Sequence, residues 1–144
     1  MGSFANQIGA WAAKTQKRTE AVYQRSVELM GEEMARTKPE GGRVPIDTGN
    51  LSRSLLASTE GMPKTSDKVP PGSNVGLVAA TLRLDQPVWL GYTAVYSRVA
   101  NYGFVGADKL GRVYNRPGNY FVEGAIMKWP ELVKKAVEEI KGSQ

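Results

Sequence analysis

Phe4-Ala5-Asn6-Gln7-Ile8-Gly9-Ala10-Trp11 opens a stretch that runs to Arg36 without a proline. Phe4, Ile8, Trp11, Thr15, Val22, Leu29, Met30 and Met34 approximate a stripe at helical spacing, which predicts one long amphipathic helix over Phe4 to Arg36. Ala12, Ala13, Lys14, Gln16, Lys17 and Arg18 add helix propensity, and Glu28 with Glu32 keeps the outer face polar. The stripe is expected to pack on the domain's own sheet, although a helix this long on a small domain also has the reach to overhang onto a neighbour.

The far end of the chain mirrors the start. Trp129, Leu132, Val133, Ala136, Val137 and Ile140 recur at i, i+3, i+4, i+7, i+8 and i+11, a clean apolar stripe for a closing helix over Asn119 to Lys141. Glu131 and Lys135 stand at the favourable i, i+4 spacing, and Gly142 can end the helix. Within a continuous helix Pro130 would clash with the carbonyl of Ile126, so a kink or a restart is expected there.

Between these helices the punctuation changes. Pro39, Gly41, Gly42, Pro45 and Gly49 mark a connection over Lys38 to Asn50. Leu51 to Thr59 reads as a short turn capped by Asn50 and then a strand. Glu60 to Asn74, with Gly61, Pro63, Pro70, Pro71 and Gly72, reads as a long, mobile, solvated loop. Val75 to Leu84 and Pro87 to Tyr92 are apolar and β-favouring on either side of Asp85-Gln86, which predicts an antiparallel hairpin. Thr93 to Tyr102 reads as a short helix ended by Gly103, and Phe104 to Gly118 as a loop or a β-arm. The expected architecture is a single α+β domain, residues 1–144, with long N-terminal and C-terminal helices packed on a small, mostly antiparallel sheet.

Composition narrows the chemistry. With 41% hydrophobic residues the chain has enough apolar side chain for a core, and its longest apolar run, Val75 to Leu82, is far short of the ~20 residues that cross a bilayer. No membrane association is therefore expected, and without a basic cluster ahead of an apolar stretch the chain is expected to stay in the cytoplasm where it is made. Cysteine and histidine are both absent. That removes disulfides, thiolate nucleophiles, the commonest general base and nearly all zinc, copper and iron sites, and no cofactor is expected. The net charge of +5 favours an acidic partner, but the basic residues are interleaved with acids, so it indicates no more than proximity to DNA.

Three short strings stand out. The first is Val44-Pro45-Ile46-Asp47-Thr48-Gly49-Asn50-Leu51, followed by Ser54. Asp-Thr-Gly is also the signature of aspartic proteases, in which two carboxylates share a proton to activate water, so a homodimeric protease is the catalytic alternative. Against it, the protease triplet is normally followed by a small residue in a β-rich chain, whereas Asn50 and Leu51 follow here and helices bracket the domain. The structural reading makes Asp47 and Thr48 hydrogen-bond acceptors for nearby amides, Gly49 a positive-φ turn residue and Asn50 a cap. The second string is Tyr96-Ser97-Arg98-Val99-Ala100-Asn101-Tyr102-Gly103, and the third is Arg116-Pro117-Gly118-Asn119-Tyr120-Phe121. Aromatic residues so placed are usually core or loop anchors. A small basic DNA-binding module built on Arg43, Arg53, Lys64, Lys68, Arg98, Lys109, Arg112 and Arg116 is a third reading, though no DNA-reading motif accompanies these residues.

Taken in order, the long first helix, Pro-x-Asp-Thr-Gly-Asn-Leu-x-x-Ser (Pro45 to Ser54), Tyr-Ser-Arg-x-x-x-Tyr-Gly (Tyr96 to Gly103) and the Pro117-Gly118-aromatic entry to the last helix resemble the HK97 gp10-like phage tail-component family. The likeness spans about Ile8 to Ile140 and rests on short motifs. One position departs: Asn101 stands where that family often carries an acidic residue, so a salt bridge there is in doubt. The resemblance implies a non-enzymatic virion protein, a neck or tail-terminator subunit acting in tail completion and head–tail joining. Its partners would be copies of itself in a hexameric or dodecameric ring, the neighbouring connector or head-closure proteins and the tail-tube proteins, with the genome passing through the centre. The residues expected to shape assembly are Pro45, Asp47, Thr48, Gly49, Asn50, Leu51, Ser54, Tyr96, Tyr102, Gly103, Pro117 and Gly118.

Overall fold

A computed structural model of the chain describes residues 2–45, 50–68, 72–107 and 109–142, with the backbone alone described at Asn50, Tyr114 and Arg116. Helices α1 (Gly2–Ala35), α2 (Asn50–Arg53), α3 (Val75–Ala80), α4 (Ser97–Tyr102), α5 (Phe121–Met127) and α6 (Trp129–Gly142) alternate with strands β1 (Leu55–Ser58), β2 (Trp89–Tyr92), β3 (Gly103–Ala107) and β4 (Val113–Pro117). The strands form two separate antiparallel pairs, β1 with β2 and β3 with β4. This is the expected α+β architecture, helix-rich and with little sheet.

The core lies where the second half of α1 meets β1, β2, α3 and α5. Val27 and Met34 of α1 pack there with Val44, Leu51, Leu55, Val75, Leu82, Tyr92 and Phe121. The Tyr92 and Phe121 rings meet edge to face at 4.9 Å, and the Tyr92 hydroxyl donates to the Met34 carbonyl. That bond satisfies the one polar atom of an otherwise apolar side chain, which is what makes a buried tyrosine stable.

Helix α6 runs back along α1. Arg25 Nε donates to Glu139 Oε2 at 2.6 Å, and Lys128 Nζ lies 2.9 Å from Glu33 Oε1, so the two helices are antiparallel. The expected restart before Pro130 is present: α5 ends at Met127, the Lys128 N–H bonds to Ala125, and α6 begins at Trp129. Proline in the first turn of a helix gives up an amide that would have had no partner.

Two expectations are corrected. Val75 to Leu84 is not the first strand of a hairpin; Val75–Ala80 is helical, and β2 pairs instead with β1, Leu55 opposite Tyr92 and Ser58 opposite Trp89. The reason is tertiary. Val75, Ala79 and Leu82 are buried at helical spacing, and Val75 sits so close to Gly31 of α1 that a β-carbon there would lie 2.4 Å from Val75 Cγ1. The free edge of β1 is occupied by one side chain, the Asn74 amide, which accepts from Ala57 N and donates to Ala57 O. Second, the described part of Glu60 to Asn74 is the largely solvated loop expected, but it is anchored to the body at one point, where Ser66 N donates to Thr93 O at 2.7 Å.

The long first helix forms as expected, but it packs chiefly on α6 and α3 and not, as its stripe predicts, on the sheet, and only half of that stripe is used. Ser26, Val27, Leu29, Gly31 and Met34 are buried, whereas every described residue from Ser3 to Thr19 is exposed. A helix of 34 residues is roughly 51 Å long, and the 14 residues of α6 cover only about 21 Å of it, so α1 projects beyond its own domain.

Candidate assembly surfaces

Of the first string, Ile46, Asp47, Thr48 and Gly49 lie outside the described residues, and the proposed turn and the protease alternative both fall on them. The rest of that element is structural. Asn50 opens α2, Leu51 is a core residue, Ser52 Oγ donates to the last carbonyl of α1 at Ala35, and the buried Ser54 Oγ donates back to Leu51 O. Pro45 is half-buried just after the fully buried Val44. Ser54 O then accepts from both the amide and the hydroxyl of Thr93, so the end of the first string meets the chain just ahead of the second.

The second and third strings meet directly. Gly103, at φ 87, ends α4 and pairs with Pro117 across the β3–β4 hairpin. Gly118 lies against the backbone of Asn101 and Tyr102, where a β-carbon would stand 2.4 Å from Asn101 O. Only glycine allows that approach. Asn119 N and Nδ2 both donate to Ala100 O, and Tyr120 N donates to Asn101 O. Tyr120 itself is held at φ 50, a conformation that non-glycine residues seldom take.

At the centre of this junction is Asn101, 3% exposed. Its Oδ1 accepts from the amide of Val122 in the first turn of α5, and its Nδ2 donates to the Glu123 carboxylate at 2.9 Å. The side chain thus caps α5 from a distant segment. Burial pushes the Glu123 carboxyl up, but bonds from its own amide, Asn101 and Tyr102 outweigh it and hold the group below the usual carboxylate range. The amide thus makes a neutral-donor bond to a carboxylate that an ionised acidic residue at this position could not make. The sequence signal was Asn101's departure from the resembled motif; its burial was not readable there.

Among the described residues two apolar surfaces stand open to solvent. The first is the projecting half of α1, where Phe4 is 75%, Ile8 52% and Trp11 67% exposed. The second runs over α4 and the hairpin, where Tyr96, Val99 and Tyr102 recur every third residue beside Val105 and Val113, all exposed. Phe104 to Gly118 is therefore the β-arm of the two expected forms, and it presents Val105 and Val113 to solvent. Two adjoining cavities of about 280 and 330 Å³ also line the α1–α6 seam as a groove; they share Thr19 and Val22, and the first is lined mainly by apolar side chains. Among the described residues no group of three or more carboxylates could hold a metal ion, and no helix is long and apolar enough to cross a membrane.

Compared with known proteins, the chain matches no family model, no curated protein and no solved structure.

Proposed function

We propose that this chain is a structural subunit of a tailed-bacteriophage virion that assembles with its own copies into a ring at the head–tail junction, as a neck or tail-terminator component. The observation that carries the reading is the projecting half of α1, about 25 Å of helix from Ser3 to Thr19 with an apolar stripe that its own domain leaves exposed. Contiguous exposed apolar surface of this kind marks protein–protein contact. A closed ring meets the need through one repeated lateral contact.

The ordered likeness of three sequence strings to a phage tail-component family supports the same conclusion. In this reading the junction of Asn101, Gly103, Gly118 and Tyr120 sets how the β3–β4 arm leaves the body, and the arm reaches neighbouring copies or adjacent connector and tail-tube proteins. DNA would pass through the ring's centre, which suits the net charge of +5.

Native mass measurement and negative-stain microscopy test it. Closed rings are expected, and a chain that stays solitary at every concentration overturns the proposal. Peptide hydrolysis at acidic pH that disappears in Asp47→Asn would favour the protease instead.

A further inference from the structure

Phe4, Ile8, Trp11 and Thr15 fall within roughly 60° of one another and of Val22 and Ser26 when α1 is projected at 100° per residue. Val22 and Ser26 line the groove with α6, and the Arg25–Glu139 and Glu33–Lys128 ion pairs hold α6 over that side of α1. The exposed stripe on the tip is therefore the α6-binding face of α1, continued past the end of α6.

The complement is present on the same chain. Helix α6 uses Ala136, fully buried, against α1, but Trp129, Val133, Val137 and Ile140 turn a second apolar flank to the groove that Val22 and Leu84 complete. We infer that the tip of α1 from one copy lies in the α1–α6 groove of the next copy, head to tail, so that a neighbour's α6 receives the same face of α1 that its own α6 does. This rests on the ring reading above and names the contact that builds the ring.

Two features of the chain favour a second copy as the occupant. The spacing matches: Phe4, Ile8, Trp11 and Thr15 stand at i, i+4, i+7 and i+11, and Trp129, Val133, Val137 and Ile140 at i, i+4, i+8 and i+11, each span about 17 Å long. The charge is compatible, because residues from Gly2 to Ala13 include none that is charged, so nothing on the tip is repelled by Arg18 and Lys141 at the groove's end. The three large tip side chains expose on the order of 400 Å² and the groove less than that, so this contact supplies only part of the ~1,200 Å² that a specific interface needs. The α4 and hairpin surface is available for the remainder. A single head-to-tail contact of this kind propagates into a ring when its rotation closes.

The chain contains no cysteine, so introduced pairs report cleanly. Val137 lies beside Arg18 and Val22, and Ile8 is ten residues, about 15 Å, further along α1 than Arg18, beyond the ~7 Å Cα separation that a disulfide bridges. Under mild oxidation the double variant Ile8→Cys/Val137→Cys is expected to give a covalent ladder of dimer, trimer and higher species. Asn6→Cys/Val137→Cys, with its first cysteine on the opposite face of the tip, is expected to give none. Trp11→Asp, at a mostly exposed position, should keep its helical signal and melting temperature while weakening assembly by roughly tenfold or more, as loss of an anchoring aromatic does. No ladder at any concentration, covalent dimers alone, or an equal ladder from the Asn6 pair overturns the docking. Rings without the Ile8–Val137 ladder would sink the docking and leave the ring reading standing; a ladder in open chains without closed rings would do the reverse.

Discussion

Asn101 Nδ2 donates to the Glu123 carboxylate at 2.9 Å while its Oδ1 caps the amide of Val122, so one buried amide fixes both the charge and the first turn of α5. The pairing joins the string that opens the β3–β4 arm to the first turn of α5, which follows the string that closes it. Its disruption should therefore be felt in the direction of the arm as well as in stability.

Asn101→Asp tests the charge. At neutral pH two carboxylates would face each other where an amide now donates, and a loss of about 2 kcal/mol or more in unfolding free energy is expected. In the wild type the lowered Glu123 pKa contributes stability that is present above the unfolded value and lost as pH falls through the folded one. In the variant one carboxyl is pushed up instead, so its deficit relative to wild type should shrink as pH drops from 7 towards roughly 4. Denaturant unfolding at several pH values measures this, and a deficit that does not vary with pH would refute it.

Gly118→Val places a side chain against the carbonyl of Asn101, with the β-carbon at 2.4 Å. Backbone, not a flexible side chain, must move, and the expected loss is about 2–3 kcal/mol. A thermal melt should fall by several degrees; an unchanged melting temperature would show that the α4 to α5 junction is looser than described.

Gly31→Ala tests the helical reading of Val75–Ala80. The new methyl would meet Val75 Cγ1, so overpacking of roughly 1–3 kcal/mol opposes the ~1 kcal/mol gained in helix propensity. Pairing it with Val75→Ala should recover stability, with a coupling energy above about 0.5 kcal/mol in a double-mutant cycle. Strict additivity would mean that α3 does not pack on Gly31.

Tyr92 gives an alkaline signature. Burial pushes its phenol well above the ordinary tyrosine value, so it stays protonated in the folded chain while the unfolded chain releases its proton near pH 10. The stability it contributes is complete below that pH and is lost as pH rises beyond it. Absorbance titration should show Tyr92 ionising only with unfolding, and Tyr92→Phe should remove this late step while costing about 1 kcal/mol through the lost bond to Met34.

The local, periodic part of this fold is written in its residue order. The apolar stripes of α1 and α6, the restart before Pro130, the turn-then-strand from Asn50 to Ser58 and the Gly103 stop were legible because each follows from spacing or from the backbone limits of proline and glycine. Tertiary structure alone decided that Val75–Ala80 is a helix, since a run of small and β-branched residues suits either period until Gly31 opens a seat for it. It also decided which half of the α1 stripe is covered, because periodicity marks a face and only the length of α6 sets how much of that face is buried. And it decided the role of Asn101, whose amide acquires meaning only when residues 21 and 22 positions later fold back against it.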